Sequence, residues 1–509
     1  MKFTSQNKQL TLDLFRSSFD ELDKTNRWVV MGNLLPWKEI EKEYNSKLNN
    51  AVKGAGNKPA RMVIGACIIK HKLCLSDEEA ILMIQENPYM QYLCGLTELT
   101  YKPIFDPSLF VTIRKRISEE DINELTVRLL EKEKRLREEA SQREEQEAKD
   151  KGEQPPKPEP EDPFAAEFTD SDGRKHQGVL KVDATCANVE VRYPVDVDII
   201  HDGCRVINIF IEKICKTANI TKPRTCYKDA RHVYLELVKL KKKGGKMVKM
   251  TISMMLDYLA KDLRIISDLF AQNSDYRELL SQHEKKHLIA TFDMYAQQRY
   301  MHDHKVHKCL HRIISIFQPH VRPIIRNKAG AMTEFGPKVG ASVVCGYTFL
   351  DHFSWESYNE CSDLELQIKL FKERFGYLPA TVLADKIYMN KENRKLLKEY
   401  GIQNFSKPLG RPPKEEKSPE EKEKMVKAIG DRNEIECSFG TGKRIYRANN
   451  IRAKLPETAR CWTGMCYFVK NVMKFLRELC HVLTEIWQLL ASIITMRRSL
   501  TSQLFLVKY

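Results

Sequence analysis

Three acidic residues stand out for the chemistry their settings allow. Leu180-Lys-Val-Asp183 and Ala380-Thr-Val-Leu-Ala-Asp385 each end an otherwise apolar, strand-like run on an aspartate. In an α/β protein the C-terminal edge of the strands is where sites are built. Taken singly, each aspartate reads first as a turn or helix-cap residue. The third acid belongs to Asp431-Arg432-Asn-Glu434-Ile-Glu436-Cys-Ser-Phe-Gly-Thr-Gly-Lys443, spaced R-x3-E-x6-K. At about 100° per residue, Glu436 lies about 40° and Lys443 about 20° around a helix from Arg432, so the three share one face. Glu434 points about 200° away from Glu436, which leaves Glu436 as the acidic candidate. Gly440 and Gly442 weaken the helix at its lysine end. Carboxylate oxygens, with water and phosphate, are the ligands that Mg²⁺ prefers, so such a set needs no histidine or cysteine.

These residues resemble the catalytic set of the insertion-sequence DDE transposases, whose third-carboxylate helix carries Y-x2-R-x3-E-x6-K. Arginine, glutamate and lysine match at Arg432, Glu436 and Lys443, and the tyrosine position holds Ile429. Asp183-Ala-Thr with Tyr193-Pro-Val-Asp196 is similar to the family's first-aspartate block, and Ala384-Asp385-Lys386-Ile-Tyr388 with Glu392-Asn-Arg394 to its second. Arg322–Lys328, Glu334-Phe-Gly336 and Trp355–Glu360 also read as family blocks, and Arg61–Gly95 resembles the family's N-terminal domain.

The resemblance implies an RNase H-like core, a mixed sheet flanked by helices. In it Asp183, Asp385 and Glu436 would hold two Mg²⁺ ions, with Mn²⁺ as a substitute. Two such cations about 4 Å apart activate the nucleophile and stabilise the leaving oxygen of a phosphodiester. It further implies hydrolysis at transposon-end DNA, attack of the freed 3′-OH on target DNA, and a homodimer pairing two ends. Arg432 and Lys443 would hold DNA phosphates beside the metals, joined by Lys386 and Tyr388. The plainer alternatives are an i,i+4 ion pair of Arg432 with Glu436 and a solvated Lys443. Trp355 either stacks on an unpaired base or packs in the core. The same residues fit two other functions. One is a metal-dependent DNA nuclease without strand transfer; the other is an inactive, domesticated DNA-binding protein, which the Ile429 departure leaves open.

The elements that must position these groups are legible in outline. An all-α N-terminal domain, expected to bind DNA, is assigned to residues 1–130. A charged, Pro-rich linker follows at 131–177, with 15 acidic and 10 basic residues, a composition that cannot offset chain ordering by burial. The α/β core spans 178–463, and C-terminal helices occupy 464–509. Strands are expected at 178–183, 187–192, 312–317, 341–350 and 381–385, and helices at 363–375, 390–400 and from 434 to about 496. Between the last two lies an expected charged loop, 407–427, in which Leu409-Gly-Arg-Pro-Pro-Lys414 reads as a loop or a minor-groove arm. Asp183 and Asp385 are 202 positions apart, so residues 203–300 read as a basic helical insertion. Its stretch Lys222–Lys249 carries a net charge of +8. There Lys241, Lys242 and Lys243 are either a clamp on the DNA backbone or a solvated turn.

The chain as a whole has 509 residues and a formal charge of +15, consistent with a polyanionic partner or a plain basic surface. Setting the acidic linker aside concentrates +20 in the remaining chain. Its longest uncharged apolar stretches are 12 and 11 residues, short of the roughly 20 a membrane span needs. The 14 cysteines form no CxxC pair, and with no apolar run after a basic stretch in MKFTSQNKQLTLDLF, no export signal is expected. The expected location is cytoplasmic, on the nucleoid of a prokaryote, with no membrane.

Overall fold

The computed structural model describes residues 18–48, 56–151, 166–328, 331–406 and 418–479. Helices come first: α1 (Arg27–Leu34), α2 (Trp37–Ser46), α3 (Ala60–Leu73), α4 (Asp77–Glu86), α5 (Pro88–Leu93), α6 (Leu109–Arg116) and α7 (Glu119–Lys151). Local chemistry sets their starts. Asn26 caps α1, a Ser76–Glu79 capping box opens α4, and Asn87 caps α5 with Pro88 in its first turn. Helix α7 passes residue 130 without a break. Its first turns bury Ile122, Leu125, Leu129 and Leu130, while its later, charge-rich turns are largely exposed. A small hairpin, β1 (Glu167–Thr169) and β2 (Lys175–Gln177), precedes the main sheet.

Strand β3 (Val179–Cys186) is followed by a helical block: α8 (Asp196–Thr217), α9 (Tyr227–Lys239), α10 (Gly245–Gln272) and α11 (Gln282–Asp303). This block has its own apolar core, including Ile200, Ile207, Phe210, Leu256, Leu259, Ile266 and Met294. The chain then forms the hairpin β4 (Pro323–Lys328) and β5 (Ala331–Phe335), and a second hairpin, β6 (Lys338–Val344) and β7 (Tyr347–Ser354). It continues through α12 (Leu364–Phe375), β8 (Thr381–Ala384), α13 (Lys391–Glu399), β9 (Gln403–Asn404), α14 (Pro419–Ile445) and a helix, α15, described over residues 456–479.

The five-stranded sheet has the order β7-β6-β3-β8-β9. Strand β3 pairs antiparallel with β6 and parallel with β8, and β8 pairs parallel with β9, so the sheet is mixed. With helices packed about it, this is the expected α/β architecture. One continuous apolar core joins α1–α7, the sheet, α12, α14 and α15.

The edge strand β7 is closed by two asparagines from two helices. Asn123 of α7 donates to the Leu350 carbonyl (2.7 Å) and accepts from its N–H (3.1 Å). Asn471 of α15 does the same at Thr348, at 2.8 and 3.0 Å. The two amides stand in for a neighbouring strand and satisfy groups that an edge otherwise leaves open.

Several local expectations are corrected. Residues 341–350 are not one strand but two arms of a hairpin turning at Cys345 and Gly346, whose φ angles are 49° and 78°. The 187–192 stretch forms a single parallel bridge, Val189 to Ile451, and 312–317 forms no strand. Strand β3 runs three residues beyond Asp183. Helix α14 starts at Pro419, inside the stretch read as a loop, because Glu and Lys sustain a helix without an apolar period. The 409–414 motif and the apolar stretch at 486–496 lie outside the described residues.

Candidate active site

Central strand β3 alternates. Leu180, Val182 and Ala184 are buried on one face, which places Lys181 and Asp183 on the other. Helix α14 packs across β3, and the Lys181 Nζ reaches the Glu434 carboxylate at 2.5 Å. Glu434 is therefore occupied away from Glu436, as the helical geometry requires. Val182 of β3 pairs with Ala384, the last residue of β8, so Asp183 and Asp385 directly follow one couple of adjacent parallel strands, which lie about 4.8 Å apart. Asp385 ends its strand and also caps the 3-10 turn Lys386–Tyr388, its Oδ1 accepting from the Lys386 N–H at 2.7 Å. Asp183 accepts from the Ala184 N–H at 2.8 Å.

Arg432 links the other two acids. Its guanidinium lies 3.4 Å from Asp385 Oδ1 and 3.1 Å from Glu436 Oε1. The i,i+4 pair is thus present, and the same side chain also reaches a second strand end. Burial pushes the Asp183 carboxyl up to about 6, with Glu360, Asp385 and Glu436 adding like-charge repulsion against the Ala184 hydrogen bond. Asp385 and Glu436 are about half exposed, so the group is half-buried at Asp183 and open at its rim.

The donor set is all carboxylate oxygen, and the excess negative charge on Asp183 is what a cation relieves; the chemistry fits Mg²⁺. Among the described residues, no three acid, imidazole or thiol side chains converge closely enough to cage one metal ion. Mg²⁺ is typically held by one or two carboxylates while keeping water and phosphate oxygens, so a protein cage is not required.

The remaining expected residues fall in different places. Lys443 is largely buried, 4.0 Å from Glu334 of β5, rather than a freely solvated charge. Gly442 lets α14 approach α15, where an added Cβ would lie 2.6 Å from the Tyr467 ring. Lys386 is exposed beside Asp385. Tyr388, expected to touch DNA, is fully buried, because its 3-10 turn folds the ring inward. Trp355 is partly buried, edge-on to His320 (4.4 Å between ring centres) and Phe353 (5.6 Å). Lys241, Lys242 and Lys243 are exposed in the turn between α9 and α10, apart from the carboxylate group in sequence and in element. Glu360 is the group the sequence reading gave no role; an acid just ahead of a helix reads as a cap, and only the packed sheet brings it near Asp183.

Two family models match the chain. One, described as Transposase domain (DUF772), covers residues 16–116. The other, described as Transposase DDE domain, covers residues 382–473 and so takes in Asp385, Arg432, Glu436 and Lys443. An uncharacterized protein, ORF8 in the nfe locus of Rhizobium meliloti, is 29% identical over 114 residues, 22% of this chain and 54% of that protein. The match thus spans about half the length of that relative. No solved structure matches the chain.

Proposed function

We propose that this chain is an insertion-sequence DDE transposase, a reading that its matches to two transposase domains support, and that it hydrolyses phosphodiesters at transposon ends and joins the freed 3′-OH to target DNA. One observation supports the reading: Asp183 and Asp385 each follow the paired couple Val182 and Ala384, and Arg432 pairs with both Asp385 and Glu436. The sheet order β7-β6-β3-β8-β9, with α12 between β7 and β8 and α14 crossing β3, supports an RNase H-like core.

In this reading Asp183, Asp385 and Glu436 hold Mg²⁺, or Mn²⁺ in its place. The bound cations would activate the attacking oxygen and neutralise the leaving one. Partial burial limits water around Asp183, while the exposed Asp385 and Glu436 admit a phosphate. Arg432 exchanges its carboxylate partners for a DNA phosphate, a task suited to its planar fork of donors. Lys386 adds a point charge at the same rim, and the insertion's exposed lysines grip the duplex backbone further away. No helix among the described residues is long and apolar enough to cross a membrane. A homodimer joining two DNA ends on the nucleoid is the assembly proposed.

The test is incubation of the full chain with duplex carrying the element's ends, target DNA and Mg²⁺. Mg²⁺-dependent nicking at the ends followed by end-to-target joining is expected. Nicking without joining assigns a nuclease, and end binding without nicking assigns a DNA-binding protein.

A further inference from the structure

After its own burial and its hydrogen bond to Ala184, the strongest influence on Asp183 is not either of its proposed partners but Glu360. Glu360 opens the 3-10 turn Glu360–Asp363 that leads into α12, and this turn packs against the 3-10 turn carrying Tyr388. Lys338 of β6 fixes the acid. Its Nζ lies 2.9 Å from Glu360 Oε2 and donates to the Tyr358 carbonyl, also at 2.9 Å. The carboxylate is thereby held by one oxygen in a largely buried position.

Tyr388 supplies an independent observation. The ring is fully buried, and its hydroxyl has no hydrogen-bonding partner among the described residues. The charged groups acting on it are Glu360 first, then Asp183 and Asp363. Buried hydroxyls are almost always paired. An unpaired hydroxyl in the turn that packs against the Glu360 turn, three residues after Asp385, is suited to a hydrated cation, whose water it can orient.

We propose that Glu360 is a fourth carboxylate of the divalent-cation site, shared with Asp183, and that Tyr388 is a positioning residue whose hydroxyl orients the cation's water. Two carboxylates with retained water is a common way for Mg²⁺ to be held, and hydrogen bonds beyond the direct ligands typically tune metal affinity about 10–100-fold. The inference rests on the metal-dependent reading above.

Mn²⁺ binding to the full chain without DNA, followed by the electron paramagnetic resonance of free Mn²⁺, separates the two. Asp183→Asn is expected to abolish binding, Glu360→Gln to weaken it about tenfold or more, and Tyr388→Phe, which keeps the ring and removes only the hydroxyl, to weaken it several-fold. If Asp183→Asn abolishes binding while Glu360→Gln and Tyr388→Phe bind as the wild type does, the fourth-carboxylate proposal is overturned and the three-carboxylate reading stands. If Asp183→Asn binds Mn²⁺ normally, the metal reading itself falls and takes this proposal with it. Should Glu360→Gln not fold, Glu360→Asp, which keeps an acidic partner for Lys338, decides in its place by the same weakening or its absence.

Discussion

Asp183 and Asp385 follow directly on a paired couple, Val182 and Ala384, of two parallel strands, and so stand beside each other although 202 positions separate them. The register holds one aspartate half-buried and the other at an open strand end. Like charge crowds the buried one, a cost that a site bears for function. Asp183→Asn relieves that repulsion. Without divalent cation its melting temperature is expected to rise by about 1–3 °C, while end cleavage falls to background and end binding persists. A variant that melts lower and still cleaves removes Asp183 from the site.

Arg432 pairs with two carboxylates that are about half exposed. Such pairs contribute only about 0.2–1 kcal/mol, so Arg432→Ala is expected to leave the melting temperature nearly unchanged. Its loss should appear in DNA instead. A charge-assisted hydrogen bond to phosphate is worth about 1.5–3 kcal/mol, so end affinity should drop roughly tenfold or more, with Arg432→Lys intermediate. A large fall in stability with unaltered affinity makes Arg432 a structural brace.

Lys241, Lys242 and Lys243 are exposed on a turn of the helical block. If they meet backbone phosphates, each contributes about 0.9 to the slope of log affinity against log salt. Replacing all three by glutamine should flatten the slope by about 2–3 and weaken end and non-end DNA alike. An unaltered slope from filter binding over a salt series returns them to plain surface.

His71 gives a pH dependence unrelated to the carboxylate group. It is buried, with Nδ1 3.4 Å from the Cys466 Sγ and its ring edge-on to Trp462 at 5.1 Å. Burial first, then the Lys70 and Arg114 charges, push its pKa down to about 3, against the attraction of Asp77. The unfolded chain takes up this proton near pH 6.5 and the folded chain only near 3. The contribution is thus complete above 6.5 and lost as pH falls between those values. His320, held down to about 4, acts with the same sign. Thermal unfolding from pH 7.5 to 4.5 should show a declining midpoint, with a shallower decline in His71→Gln. Equal slopes in the two proteins reject the assignment.

The parts of this molecule that were legible in its sequence are those governed by local rules. Helical geometry put Arg432 and Glu436 on one face and turned Glu434 away, and each is where that geometry requires. Apolar runs located β3 and β8. What was not legible depends on partners distant in sequence. Cys345 and Gly346 turn the chain inside an apolar run that reads as one strand, because cysteine carries no turn signal. The alternation of 187–192 is realised as one bridge only, since the neighbouring strand was not there to pair with it. Tyr388 sits three residues from Asp385, which suggests the surface, yet its turn carries the ring into the core. Glu360 acquires its place only through Lys338 and the packing of two 3-10 turns.

The two asparagines on β7 predict how the molecule unfolds. Asn471 is fully buried, and besides closing Thr348 its Nδ2 donates to Thr126 Oγ1 of α7 at 3.3 Å. One side chain therefore ties α15, the edge strand and the N-terminal helices together. Asn471→Ala strands the Thr348 N–H and C=O in a dry interface, at about 1–3 kcal/mol for each group left unpaired. Asn123→Ala does the same at Leu350. Because both act on one strand and one shared core, their effects should not add: once β7 has loosened at Thr348, the second substitution has less left to break. Urea unfolding of the two single variants and the double variant measures this coupling. A simple sum of the two losses, or N-terminal helices melting in a transition of their own, shows that β7 does not bind the two halves into one cooperative unit.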